Sequence, residues 1–219
     1  MRSRPNRRDF LASGAALVLS DGVRGPSAAL AGARSARARL DLGLADTSAS
    51  PHAVARSVGL GEVAWTRGFW SGRLAVCRDA MVPAMWRVMS GTEPSHFLHN
   101  FKVAAGLVEG RHRGPRWNDG DFYKWIEAAS ALLAASWDDA LDRRLDEVIG
   151  VIARAQRDDG YLHTPVQIRA RGGAEPFHDS LDFEAYNLGH LMTAACVHHR
   201  ATGKSNLLAV AAKAADYLV

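Results

Sequence analysis

Through the second half of the chain, apolar residues recur at helical spacing. Trp125, Ala128, Ala129, Leu132 and Leu133 share one side of a helix predicted over Asp121 to Trp137. Leu141, Leu145, Val148, Ile149 and Ile152 do the same over Ala140 to Ala155, and Gly160 suits a left-handed stop just beyond. A helix from Phe183 to Ala201 ends at Gly203, and another runs from Asn206 to Val219. Pro165, Gly172, Gly173 and Pro176 predict a loop between these pairs. Upstream, Leu74, Val76, Met81, Met85 and Val88 predict a helix over Ser71 to Met89, delayed or kinked by Pro83. A short helix covers Phe101 to Leu107, and Val58 to Val63, interrupted by glycine, reads as a short strand.

The helices fall into two similar hairpins. Glu127-Ala128-Ala129-Ser130 aligns with His190-Leu191-Met192-Thr193 at a spacing of 63 residues. A period near that length suits a ring of helical hairpins better than a short-repeat scaffold. The first helix of each pair is rich in Ala, Gly and aromatics, as an inner helix would be, and the second carries the one-sided stripe of an outer helix. The predicted fold is therefore all-α, a partial (α/α) barrel with a short N-terminal strand. In the last helix Leu207, Val210, Ala211, Ala214 and Leu218 make an apolar face running to Val219. A face of that kind needs a neighbour. The expectation is that residues 58–219 are the front part of a longer catalytic domain, whose missing C-terminal segment would be its partner.

Charge and composition narrow the function. The chain is 47% hydrophobic and 23% charged, which excludes a fibrous or wholly disordered protein. Its net charge of +4 is concentrated near the start, since residues from Val58 onward carry 18 basic and 19 acidic side chains. That balance weakens a nucleic-acid reading, which needs a basic face on the folded part, and no apolar run is long enough to span a membrane. Asn6-Arg7-Arg8-Asp9-Phe10-Leu11, a weakly apolar run to Ser20, and Ala29-Leu30-Ala31 together resemble a twin-arginine signal peptide over residues 1–31. Export to the periplasm or beyond is the expectation. Residues 32–57, rich in Ala, Arg, Ser and Gly, read as a flexible linker. Cys77 and Cys196 match neither a C-x-x-C motif nor a zinc pattern and are expected to be buried free thiols.

Polar residues at the helix starts are the candidate ligand contacts. Asn118, Asp119 and Asp121 either cap a helix or bind hydroxyls at a barrel mouth, with Asp121 the expected cap and Asp119 the expected sugar contact. Trp125 either fills the core or stacks on a sugar. Glu127, among apolar neighbours, is expected to face a polar interior. Tyr161, with His163, follows a turn, where either exposed decoration or function fits. Glu184, Asn187 and His190 follow one another along one helix face, which suits a polar lumen, although His190 also fits a core histidine. His198 and His199 read as a solvated pair near a helix end. No P-loop, G-x-G-x-x-G or H-E-x-x-H motif is present.

Several blocks then resemble glycoside hydrolase family 127, the β-L-arabinofuranosidases. They are Gly68-Phe69-Trp70, Asn100 to Gly106, Asn118-Asp119-Gly120-Asp121-Phe122-Tyr123-Lys124-Trp125-Ile126-Glu127, Ile152 to Leu162 with Gln156-Arg157-Asp158-Asp159-Gly160-Tyr161-Leu162, Glu184 to His190, and Ala201 to Lys204. The resemblance implies a six-hairpin glycosidase-like barrel followed by β-rich domains, and retaining hydrolysis of terminal β-L-arabinofuranosides. It implies a zinc-held cysteine nucleophile and a glutamate acid/base, all downstream of the matched stretch. A metal-bound thiol stays deprotonated and so nucleophilic. Neither Cys77 nor Cys196 matches that motif, so the expectation is no catalytic and no metal residue in this chain, and an inactive fragment. Many family members carry a sugar-binding histidine where this chain has Phe183. The rival readings are a non-catalytic carbohydrate-binding or helper protein, and another (α/α) barrel enzyme such as a polysaccharide lyase.

Overall fold

Every regular element among the described residues is helical. The computed structural model describes residues 44–219 apart from Pro94 and Arg171, all within the unit Ala36–Val219. The expected signal peptide and residues 32–43 of the expected linker lie outside them. The elements are α1 (Phe69–Val76), a π turn (Cys77–Met81), α2 (Val82–Ser90), α3 (Phe97–Ala104), α4 (Asn118–Ala135), α5 (Asp139–Ala155), α6 (Thr164–Ala170), a 3-10 turn (Ser180–Asp182), α7 (Glu184–Thr202) and α8 (Asn206–Tyr217). The strand expected over Val58 to Val63 is not formed. Gly59 instead opens a turn, with the Glu62 N–H donating to its carbonyl at 3.1 Å and its own N–H donating to the Glu62 carboxylate at 2.7 Å.

The sequence places the long helices well and the irregular ones less so. Pro83 has no N–H and its ring crowds the preceding turn. The chain absorbs this with the π turn, so that Pro83 sits in the first turn of α2, where its missing donor costs little. Helix α3 begins four residues earlier than expected, because Leu98 is buried and Phe97 packs on the core. Helix α6 replaces the loop expected around Pro165. Proline is well suited to a first helical turn, and Val166 and Ile168 bury the new helix.

Helices α4 and α7 form the centre. Both are buried on more than one side, and they share the most extensive packing among the described elements. Helix α5 lies outside with a single buried stripe, Leu145, Val148, Ile149, Ile152 and Ala155. Its start is capped by Asp138, whose carboxylate accepts from the N–H groups of Ala140 (2.8 Å) and Leu141 (3.1 Å). Helix α8 folds back on α7 and α5. That corrects the expectation of an unpartnered closing face: Leu207, Val210, Ala211 and Ala214 are all buried within the chain, and of the predicted stripe Leu218 alone remains exposed. The two hairpins α4–α5 and α7–α8 thus pack as neighbouring units of an (α/α) barrel.

The turn after α5 ties the two hairpins together. Gly160 holds φ +97°, and the Gln156 amide donates to the carbonyls of Gly160 and Val210, both at 2.9 Å. A Cβ at Gly160 would overlap the Lys213 carbonyl oxygen in α8. Gly160→Ala is therefore expected to lower stability by about 2–4 kcal/mol through combined left-handed strain and overlap. Gly189→Ala, in open space on α7, is expected to be neutral or to stabilise by up to about 1 kcal/mol. Urea unfolding of both variants against the parent checks this, and equal effects would contradict it.

Candidate functional site

The starts of α4 and α7 lie side by side, and one side chain locks them. The Asn187 carbonyl oxygen accepts from the Gly120 N–H at 2.9 Å. Its amide donates to the Arg116 carbonyl at 3.0 Å and to His163 Nε2 at 2.8 Å. A Cβ at Gly120 would lie 2.5 Å from that Asn187 oxygen, so only glycine allows this approach. Asn118 is buried beside them, its amide donating to the Arg113 carbonyl at 3.2 Å.

Asp119 reaches a different helix. It is buried, and its carboxylate accepts from the Thr164 N–H at 2.6 Å and the Thr164 hydroxyl at 2.7 Å, which satisfies the start of α6 from α4. Burial pushes its carboxyl up to about 6 against the pull of those two bonds. Burial, with the Asp119 charge, also raises the Tyr123 hydroxyl well above its ordinary range. Tyr161 is fully buried as well; its hydroxyl donates to the Glu184 carboxylate, and burial followed by that bond pushes it far upward. Glu184 also accepts from the Phe177 N–H, at 2.8 and 3.0 Å. The loop between them is clamped by ion pairs from Arg116 to Asp179 (2.6 Å) and Asp182 (3.3 Å) and from Arg169 to Asp182.

A second set of side chains on the same helix starts faces outward. Trp117, Phe183 and Tyr186 are exposed and run edge to face, with ring centroids 5.4 and 6.0 Å apart; the His190 ring follows at 4.6 Å from Tyr186. Lys124 Nζ lies 2.6 Å from the Tyr186 hydroxyl, 5.0 Å from its ring centroid and 2.9 Å from Asp121. The Tyr186 bond and then the Asp121 bond raise the ammonium. Partial burial, then the Lys124 charge, lowers the His190 imidazole, while the Glu127 and Asp121 carboxylates oppose that. The result is a row of ring faces flanked by a cation, two carboxylates and an imidazole. Rings offer flat apolar surface to C–H faces, and the charged groups offer donors and acceptors to hydroxyls.

The structure divides the nine candidate residues. Asp121, Glu127 and His190 reach the outward row. Asn118, Asp119, Trp125, Tyr161, Glu184 and Asn187 are buried and hold elements in place. Trp125 is core: it stacks on Trp86 at 5.0 Å and Phe122 at 6.0 Å, and its indole donates to the Val82 carbonyl at 3.2 Å. Asp121 is not the cap of α4, because the helix begins three residues earlier and carries no side-chain cap. His198 is not solvated; it is fully buried with Nδ1 3.2 Å from the Ser130 hydroxyl. Cys77 and Cys196 are free thiols, half-buried and exposed rather than both buried. Lys124, Tyr186 and Trp117 were not singled out from sequence. The Asp121–Lys124 spacing of i, i+3 was the available signal for the first.

His163 and His112 are held neutral chiefly by burial, at about 3 and about 4. Between about pH 6.5 and 4 the unfolded chain gains two protons on these residues that the folded chain does not, so acid destabilises the fold. Asp119 acts oppositely: the folded carboxyl gains its proton near 6, the unfolded one near 4, so acid stabilises through it. Each group contributes a slope of about 1.4 kcal/mol per pH unit at most. His163→Gln is therefore expected to recover stability relative to the parent as pH falls from 6.5 to 4.5, and Asp119→Asn to lose it from 6 to 4. Urea unfolding across that range checks both; offsets constant with pH would contradict the assignment.

Comparison with known proteins agrees with the helical frame. The family description "Beta-L-arabinofuranosidase, GH127 catalytic domain" matches residues 62–219. A non-reducing end β-L-arabinofuranosidase of Bifidobacterium longum subsp. longum is 37% identical over 172 residues, covering 70% of this chain and 26% of the relative. A GH127 β-L-arabinofuranosidase crystal structure from Geobacillus stearothermophilus T6 is similar with TM-score 0.65 and 35% identity, over 69% of this chain and 24% of that one. A second GH127 β-arabinofuranosidase structure gives TM-score 0.65 and 34% identity, over 72% and 26%. The chain spans about a quarter of the length of these relatives. With more than half of its residues matched, and the all-helical hairpins shared, the chain belongs to glycoside hydrolase family 127.

Proposed function

We propose that this chain supplies the N-terminal portion of an exported glycosidase acting on terminal β-L-arabinofuranosides or related plant sugars. The outward row on α4 and α7 would be its share of the sugar pocket. The observation that carries the reading is the juxtaposition of Trp117, Phe183, Tyr186 and His190 with Lys124, Asp121 and Glu127. It pairs ring faces with hydroxyl-binding groups, the combination a sugar needs. The substrate class is that of the β-L-arabinofuranosidase relatives. Two features support a longer catalytic unit. The chain covers about a quarter of its relatives, and Phe69, Trp70, Met81 and Met85 leave large apolar side chains in solvent along α1, the π turn and α2.

Cleavage itself would depend on groups beyond these residues. On this reading the zinc that the family resemblance implies would be held by residues other than the described ones, which form no group of three or more His, Cys, Asp or Glu able to hold a metal. This chain's residues would bind and orient sugar. Export by the twin-arginine route is part of the same proposal and rests on the Arg7-Arg8 leader.

The test is an NMR titration of the 219-residue chain with methyl β-L-arabinofuranoside, beside a release assay on the p-nitrophenyl glycoside. The expected outcome is no release, and amide shifts confined to Lys124, Tyr186, His190 and their neighbours. Tyr186→Ala and Lys124→Met should each weaken binding by about threefold to tenfold, as loss of one stacking face or one charged hydrogen bond does. Shifts centred elsewhere, or arabinose release by the chain alone, would overturn the assignment.

A further inference from the structure

A second cleft opens near the other end of α4. It has a volume of about 610 Å³, within the range of roughly 300–1,000 Å³ that small-molecule sites occupy. Trp86, Trp125 and Trp137 contribute to its walls, with Arg78, Asp138 and Arg144. It shares no lining residue with the outward row: along α4 its wall is made by Trp125 and Leu132, and Trp125 is buried where the neighbouring Lys124 is not.

The cleft is lined by two arginines and two aspartates, and they are not all paired with one another. Arg78 is held by Asp79 through two bonds, at 2.7 and 2.9 Å. Asp138 is committed to the backbone at the start of α5. Arg144 makes no ion pair among the described residues; its guanidinium lies 5.1 Å from the Trp86 ring centroid. Stacking on a ring keeps a guanidinium's edge donors free for a planar oxyanion. Trp137 is exposed, with its indole N–H turned to Asp139 at 2.8 Å. A guanidinium without a carboxylate partner and an exposed ring lining one cleft suit a ligand with a flat apolar face and a carboxylate.

We propose that this cleft binds a uronic acid residue of an oligosaccharide, its carboxylate on Arg144 and its ring face on Trp137. The choice of a carbohydrate rests on the glycosidase reading above. The cleft, however, shares no residue with the outward row, so the two readings fail separately. Such a site would hold an acidic part of a polysaccharide away from the cleaved end. It would strengthen attachment through two linked contacts rather than one.

The test uses the 219-residue chain and trigalacturonate, with neutral arabinotriose and citrate as controls, read by tryptophan fluorescence and by the indole N–H signals in ¹⁵N NMR. The expected result is saturable binding of trigalacturonate that moves the Trp137 indole signal. Arg144→Met and Trp137→Ala should each weaken it by about tenfold or more, Arg144→Lys by less, and Tyr186→Ala not at all. Failure to saturate, a response unchanged by Arg144→Met, or equal affinity for citrate would overturn the proposal. Should a variant fail to fold by far-UV circular dichroism, the Trp137 indole shift in the parent chain decides. A response only in Tyr186→Ala would instead place acidic sugars at the outward row and overturn it as well.

Discussion

The close approach of α4 and α7 is the constraint on which the rest depends. It exists because position 120 has no Cβ and position 187 has an amide. An asparagine side chain has one acceptor group and two donor hydrogens. Here the oxygen takes the Gly120 N–H, one of the donors a helix start leaves unsatisfied, and the two hydrogens go to the Arg116 carbonyl and His163. One amide thus fixes two helices, the loop before α4 and the residue before α6. These three bonds are also why it can be buried, since an unpaired buried amide would cost about 1–3 kcal/mol for each missing bond.

Magnitudes separate the two sets of polar residues at these helix starts. Asp119, Tyr161, Glu184 and Asn187 are buried with their partners, and losing one partner strands the other. Their bonds are strongly structural. The Lys124–Asp121 pair is half-exposed, and exposed ion pairs contribute only about 0–1 kcal/mol. Its ammonium can leave Asp121 for a ligand oxygen at small cost. The fold is thus stiff directly beneath a surface that can re-pair, and, Tyr161 apart, the stiffness comes from residues within one to three positions of the adaptable ones. That arrangement positions ring faces without spending the stability of the frame.

Periodicity carried the long helices clearly, because α5 and α8 each bury one stripe and that stripe is written at intervals of three and four. It failed where a residue's partner lies far along the chain. Asp119 lies 45 residues from Thr164, and nothing local distinguishes it from Asp121 two positions on. Asn187 lies 67 residues from Gly120. His198 looks like a basic helix end and is instead paired inside with Ser130, 68 residues away. Helix α6 was hidden by Pro165, a residue that both breaks helices and begins them. The candidate site was legible as a set of helix starts, while its division into buried and outward groups required the packing of α4 on α7.

Phe183 joins these points. It holds φ +59°, a left-handed conformation that costs a non-glycine residue on the order of 1 kcal/mol or more. The surrounding clamp over-determines it: Arg116 and Arg169 hold Asp179 and Asp182 just before it, and its own carbonyl accepts the Asn187 N–H at 2.9 Å. The turn therefore directs whatever side chain stands at 183 into the outward row. Family resemblance expects a histidine there, which would give a hydrogen bond; this chain presents a ring against Trp117. On the proposed reading, recognition at that point changes from a directional bond to an apolar face. A hydrogen-bonding site rejects a sugar lacking the matching hydroxyl, because its buried partner is left unpaired, whereas a stacking site discriminates weakly between sugars of similar outline.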